Sequence, residues 1–252
     1  MTKISYFVSA LTDKGKVREE NQDAFSIDKN LNLFVVADGM GGVKNGGLAA
    51  KYVADDLPKL FKEKILHIKE KNDESLVSSI EEIINEQNEI IRERLGNDTG
   101  ATVVLVFIYG NSAFVGHLGD SRAYLLKDRA LIKLTSDHNI ANLLVETGKI
   151  TPEEARVHPM RHMLTKYIGS EGKIIPEIKK IILQPGDRLL LCTDGLIEMV
   201  YENEIQKVLL EQRSMSRVLE ILIDKANLNG GNDNITVLLI DILKKGQNNY
   251  DF

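Results

Sequence analysis

Apolar residues recur with the period of a strand, then of a helix, then of a strand again, and that order restricts the fold more than any single motif. Ile4 to Leu11, Ala24 to Ile27 and Leu31 to Ala37 read as strands. From Gly46 the period becomes helical, with Ala49, Val53, Leu57, Leu60 and Phe61 on one face and Pro58 expected to kink or shorten the helix. Lys62 to Asp73 reads as charged, solvated surface. Leu76 to Leu95 is the clearest helix, striped by Leu76, Ile80, Ile83, Ile84, Ile91 and Leu95. Strands return at Ala101 to Ile108, Ser112 to Leu118, Arg122 to Leu126, Ile174 to Leu183 and Arg188 to Cys192. Helices at about Glu202 to Glu211 and Met215 to Ala226 precede a closing strand, Ile235 to Leu243. Strands, two helices, many strands, two helices and one strand is not the alternation of a doubly wound sheet. It predicts an α+β chain of antiparallel sheets with helices layered outside.

Ser136 to Ser170 has no strand pattern and reads as a flap over one sheet edge, with a helical piece at Ile140 to Thr147 and a short helix entered at Thr151-Pro152-Glu153-Glu154. With no repeat or linker visible, the expectation is one domain over 1–243, a flap insertion at about 136–170 and a polar tail at 244–252. A net charge of −5 gives no reason to expect nucleic acid or an anionic membrane as partner. The one cysteine, Cys192, allows neither an intramolecular disulfide nor a cysteine zinc cage. No signal-peptide core and no membrane-spanning apolar run is visible, so a cytoplasmic chain is expected.

Four aspartates share one context, an apolar strand meeting Asp beside glycine or asparagine. They are Asp38 after Val36-Ala37, Asp120 after Leu118-Gly119, Asp194 after Cys192-Thr193, and Asp233 before Asn234-Ile235-Thr236. Taken singly, each reads as a turn residue bonding its own backbone. Taken together, on neighbouring strands, they would crowd like charges at one rim, which requires cations. Oxygen donors without cysteine and with little histidine point to Mg²⁺ or Mn²⁺. Both readings stand at this level. An anionic substrate would also need a fixed cation, and Arg18 is the candidate, since guanidinium grips phosphate oxygens in a fork.

The ordered set Arg18-x-x-Asn21-Gln22-Asp23, Val36-Ala37-Asp38-Gly39-Met40-Gly41-Gly42, Gly100-Ala101-Thr102, Gly119-Asp120-Ser121-Arg122-Ala123-Tyr124, Thr135-x-Asp137-His138, Cys192-Thr193-Asp194-Gly195-Leu196 and Asn232-Asp233-Asn234-Ile235-Thr236 resembles the metal-dependent (type 2C, PPM) protein serine/threonine phosphatases, in their compact bacterial branch. The resemblance implies a four-layer α-β-β-α sandwich, two antiparallel sheets flanked by helix pairs. It implies two Mn²⁺ or Mg²⁺ ions bridged by Asp38, with the Gly39 carbonyl on one and Asp194 and Asp233 completing the other. Asp120 with Asp194 would hold a third, weaker ion, Asp23 would act through water, and Arg18 would bind the substrate phosphate. The implied reaction is in-line attack on phosphoserine or phosphothreonine by a hydroxide shared between the metals. The implied partners are phosphorylated proteins and a serine/threonine kinase whose action is reversed; a monomer is expected.

Several positions depart from the pattern. Met40 stands where mammalian relatives place a histidine, and Gln22 where they place a metal-linked glutamate. Val43 and Gly46-Gly47 replace the His and Gly-Glu of many bacterial relatives. His158 and His162, four apart with Pro159 between them, read as flap or surface histidines rather than half of a metal site. The rival readings are a pseudophosphatase that binds phosphoproteins with weak or no turnover, and a regulatory module whose aspartates only make turns. A nucleotide-dependent phosphotransferase lacks its Gly-x-x-x-x-Gly-Lys-Ser/Thr loop.

Overall fold

The computed structural model describes residues 4–40, 45–96, 98–212 and 214–243. Gly41, Gly42, Val43 and the polar tail 244–252 lie outside the described residues. Three strands open the chain, β1 (Tyr6–Asp13), β2 (Asp23–Asp28) and β3 (Leu33–Met40). Helices α1 (Gly46–His67) and α2 (Asp73–Leu95) follow, then β4 (Gly100–Ala101), β5 (Val103–Tyr109), β6 (Ser112–Leu118), β7 (Arg122–Lys127) and β8 (Ala130–Lys133). The flap carries α3 (Ile140–Glu146) and α4 (Pro152–Arg156) and leads into β9 (Glu177–Ile182) and β10 (Arg188–Cys192). Helices α5 (Asp194–Met199), α6 (Glu202–Glu211) and α7 (Met215–Leu228) precede β11 (Ile235–Ile242).

The strands form two antiparallel sheets, ordered β1-β11-β10-β7-β8 and β2-β3-β5-β6-β9, with β4 added beside β3. Alternation along each strand sends one set of side chains between the sheets and the other set outward. Phe34 and Val36 of β3 meet Leu189, Leu191, Leu238 and Ile240 in the central layer. The opposite faces bury Leu33, Val35 and Leu105 under α1 and α2, and Leu190, Cys192 and Leu239 under α5, α6 and α7. Three apolar layers between four sheaths of backbone give the α-β-β-α sandwich. Cys192 lies wholly inside, where burial pushes its thiol up to about 12, so it packs as a small hydrophobe.

Three local expectations are corrected, and one strand, β8, is not assigned from the sequence. Helix α1 runs through Pro58 to His67, so Lys62 to His67 is helix and not loop. Its buried stripe continues from Val53 and Leu57 to Phe61 and Ile65, and that burial outweighs the roughly 3 kcal/mol proline cost. Strand β8 has little periodicity of its own and is held by pairing with β7. Ile174 to Pro176 lie before β9, whose pairing with β6 starts at Glu177↔His117. Asp194 opens α5 rather than ending a turn.

Candidate active site

Antiparallel register alone brings the candidate residues to one end of the sandwich. Asp23 starts β2 directly opposite Asp38 near the end of β3. In the other sheet the end of β10 lies against the starts of β11 and β7, with Cys192 opposite both Val237 and Arg122. Asp194, Asp233 and Asp120 are thereby delivered together. The end of β1, Asp13↔Ile235, launches the loop bearing Arg18 from the same rim.

Hydroxyls then stitch the two rims. Thr193 and Thr236 Oγ1 donate to Asp23 Oδ2 at 2.8 and 2.7 Å. Thr236 shares a 2.7 Å hydrogen bond with Thr12, whose Oγ1 accepts from Asn21 Nδ2 at 2.8 Å. Asp38 is clamped by Thr102, whose Oγ1 accepts the Asp38 N–H at 3.0 Å and whose N–H donates to the Asp38 carbonyl at 2.8 Å. Thr102 Oγ1 also meets Ser121 Oγ at 2.7 Å, linking Asp38 to the turn that carries Asp120. Asn234 secures the Arg18 loop: its Nδ2 donates to the Lys14 and Glu20 carbonyls, and its Oδ1 accepts the Gln22 N–H.

Electrostatics show how close the carboxylates are. Burial first, then Asp23, Asp194, Asp120 and Asp233, drives the Asp38 carboxyl well above its ordinary range. Asp120 is raised in the same direction by burial, Asp194 and Asp137. Burial pushes Asp23 up to about 7, against the opposing pull of the Thr236 and Thr193 hydroxyls. Such a cluster resists full ionisation unless positive charge is supplied. Asp23 Oδ1 and Asp194 Oδ1 are buried and accept no hydrogen bond. Buried acceptors without donors, all hard oxygens, fit divalent cations such as Mg²⁺ or Mn²⁺.

Without such cations, stability should fall as pH rises. A carboxyl raised in the folded state binds more protons folded than unfolded, so its stabilisation is complete below the unfolded value and is lost up to the folded one. For Asp23 that window runs from 3.8 to about 7. The chelated protein is therefore expected to melt higher at pH 5.5 than at pH 8, with Mn²⁺ removing the difference. Calorimetry at the two pH values checks this.

Arg18 is 57% exposed, and its Nη2 donates to Asp233 Oδ2 at 2.7 Å. It stands at the site, tied to a carboxylate at one amino group. A cleft of ≈ 840 Å³ leads from Asp120 and Asp194 beneath the flap, past Arg122, Arg156, Arg161 and Tyr201. Arg122 forks onto Asp137 at 2.8 and 2.5 Å, anchoring the base of the flap beside Asp120. His117 and His138 stack at 4.5 Å around Gly119; His117 Nε2 meets its carbonyl and His138 Nδ1 accepts its N–H.

All seven candidate residues thus lie at one rim: Arg18, Asp23, Asp38, Gly39, Asp120, Asp194 and Asp233. The sequence reading missed the threonines that position Asp23 and Asp38. It also missed His162 and Glu198, which lie beside Asp194. Thr193 and Thr102 adjoin the aspartate and glycine motifs, and that adjacency was the available signal. His162 had none, because the fold of the flap brings it there.

The chain matches the family described as Protein phosphatase 2C over residues 14–230. It is 35% identical over 243 residues to the serine/threonine phosphatase stp of Listeria monocytogenes, covering 94% of this chain and 96% of that one. The serine/threonine phosphatase Stp1 of Staphylococcus aureus superposes with a TM-score of 0.85 at 33% identity, covering 96% of this chain and 97% of that one. The catalytic domain of the phosphatase PstP, solved in complex with two manganese ions, gives 0.78 at 27% identity, with 95% and 99% covered. The chain belongs to the protein phosphatase 2C family, among relatives from bacteria. No helix among the described residues is long and apolar enough to cross a membrane.

Proposed function

We propose that this chain hydrolyses phosphoserine and phosphothreonine in phosphorylated proteins, reversing a bacterial serine/threonine kinase. The observation that supports it most is the mutual crowding of Asp23, Asp38, Asp120, Asp194 and Asp233 at one rim with Arg18 beside them. In this reading the whole of 1–243 is one monomeric catalytic unit of the cytoplasm, with a flap at about 136–170.

Asp38, the Gly39 carbonyl, Asp194 and Asp233 would hold a pair of Mn²⁺ or Mg²⁺ ions, and Asp120 with Asp194 a third. Asp23, both of whose threonine donors sit on Oδ2, has Oδ1 without a donor and would act through water. Cations bound there would supply an activated water and screen the phosphoryl charge. Arg18 swings from Asp233 to the phosphate, holding it in line by paired hydrogen bonds. Met40 carries no transferable proton, so the leaving serine or threonine oxygen takes its proton from water.

Purified protein is expected to release phosphate from phosphothreonine peptides and from p-nitrophenyl phosphate only when Mn²⁺ or Mg²⁺ is added. No metal-stimulated release would leave the pseudophosphatase reading in its place. Arg18→Ala is expected to raise KM for phosphopeptides about tenfold or more with a smaller change in kcat, since a charge-assisted hydrogen bond contributes roughly 1.5–3 kcal/mol. An unchanged KM would mark Arg18 as surface.

A further inference from the structure

We propose that His162, Asp194 and Glu198 form a site for a first-row divalent cation, such as Mn²⁺ or Zn²⁺, that ties the flap to α5. His162 lies in the flap beyond α4, and its Nδ1 stands 3.4 Å from Glu198 Oε1 and 3.8 Å from Asp194 Oδ2. The three donor atoms all lie within 4.8 Å of one another. An ion with bonds of about 2.1 Å places neighbouring ligands roughly 3 Å apart, so each histidine–carboxylate distance needs to close by under an ångström.

The arrangement is built from both sides. Asp194 and Glu198 are four apart on α5, so one helical face presents both carboxylates. Across from them the flap is already docked. Arg161 Nε donates to Glu198 Oε1 at 3.1 Å, Arg156 Nη2 donates to the Ile197 carbonyl at 3.0 Å, and the Arg156 guanidinium stacks 4.3 Å over Tyr201. His162 therefore reaches the carboxylates from an anchored segment. Asp194 offers Oδ2 to this cluster, while its buried Oδ1 accepts no hydrogen bond. One carboxylate can serve the flap site and the central rim together, and only in this sharing does the inference rest on the proposed centre.

Donor chemistry sets the class of ion. Two carboxylates with one imidazole favour first-row divalent metals over Mg²⁺, and Zn²⁺ over Mn²⁺. The central carboxylates and the Gly39 carbonyl provide no nitrogen, so an imidazole signal on bound Mn²⁺ reports the flap site alone. The competing account is a salt bridge between a protonated His162 and the two acids, with no metal involved.

The test strips the full chain with chelator, adds Mn²⁺ stepwise and records pulsed electron paramagnetic resonance. Expected is imidazole ¹⁴N modulation on the weaker-binding Mn²⁺, abolished by His162→Gln, with Zn²⁺ displacing that Mn²⁺ first. His162→Gln should weaken that ion by roughly tenfold or more, at least the loss that follows removal of an outer-shell partner. Glu198→Gln should weaken it while keeping the modulation. His162 is 48% exposed, so its variant is expected to fold, and circular dichroism verifies that. No nitrogen modulation at any loading, or modulation unchanged in His162→Gln, overturns the proposal and leaves the salt bridge. If nitrogen-coupled Mn²⁺ binds but no nitrogen-free Mn²⁺ does, the central pair fails and the flap site stands.

Discussion

Asp38→Asn is expected to abolish metal-dependent phosphate release and, at the same time, to raise the melting temperature of the chelated protein. The two effects have one cause. Asp38 is the carboxylate on which the most neighbours converge, with Asp23, Asp194, Asp120 and Asp233 all acting against its ionisation. The amide keeps the shape and the hydrogen bonds to Thr102, which run through the Asp38 backbone. It removes one charge from a buried cluster, which relieves repulsion near pH 8 when no cation is present. In the proposed reading the same substitution would also leave the divalent cations without an anionic ligand. Several kcal/mol of transition-state stabilisation then disappear, a fall in kcat of about 10³-fold or more. Steady-state assays with Mn²⁺ and melting curves in chelator check both halves. Turnover near that of the parent would refute the bridging role, whereas a lower melting temperature would mean Asp38 is held by partners other than its neighbouring acids.

Gly39→Ala is expected to lose metal binding and melt about 5–10 °C lower, because no side chain fits there. A Cβ on Gly39 would lie 2.0 Å from the Gly46 carbonyl oxygen, 2.3 Å from its carbon and 2.9 Å from the Gln22 oxygen. All three are backbone, so the start of α1 or the strand end must move. The glycine is required by this close approach rather than by its dihedral angles. Gly47→Ala is the control: its Cβ would meet nothing nearer than Gln22 Cα at 3.5 Å, and the protein should bind Mn²⁺ as before. Isothermal titration with Mn²⁺ separates the two variants, and equal binding by Gly39→Ala would remove the Gly39 carbonyl from the ligand set.

The layers and the aspartates were legible in the sequence because each rests on a local rule. Near-continuous apolar runs marked β3 and β11, the 3.6-residue stripe marked α2, and Asp beside glycine or asparagine marked the strand ends. What was not legible depends on pairing and packing in the folded chain. Strand β8 is defined by its partner, and the passage of α1 through Pro58 is decided by buried residues on both sides. The contact of Thr236 with Asp23 joins residues 213 positions apart. His162 is the sharpest case. As a residue of the flap it looked like surface, and only the docking of Arg156 and Arg161 onto α5 brings it to Asp194.

The last strand, β11, lies inside its sheet between β1 and β10. It carries Thr236 and is entered through Asp233 and Asn234, which hold Asp23, Arg18 and the loop between them. Before β11 is made, β1 and β10 would stand with a gap between them, and the rim would lack the strand that joins its parts. Non-local pairing of this kind is slow to form. A nascent chain stalled before β11 would therefore display the acidic strand ends without the stitching that organises them.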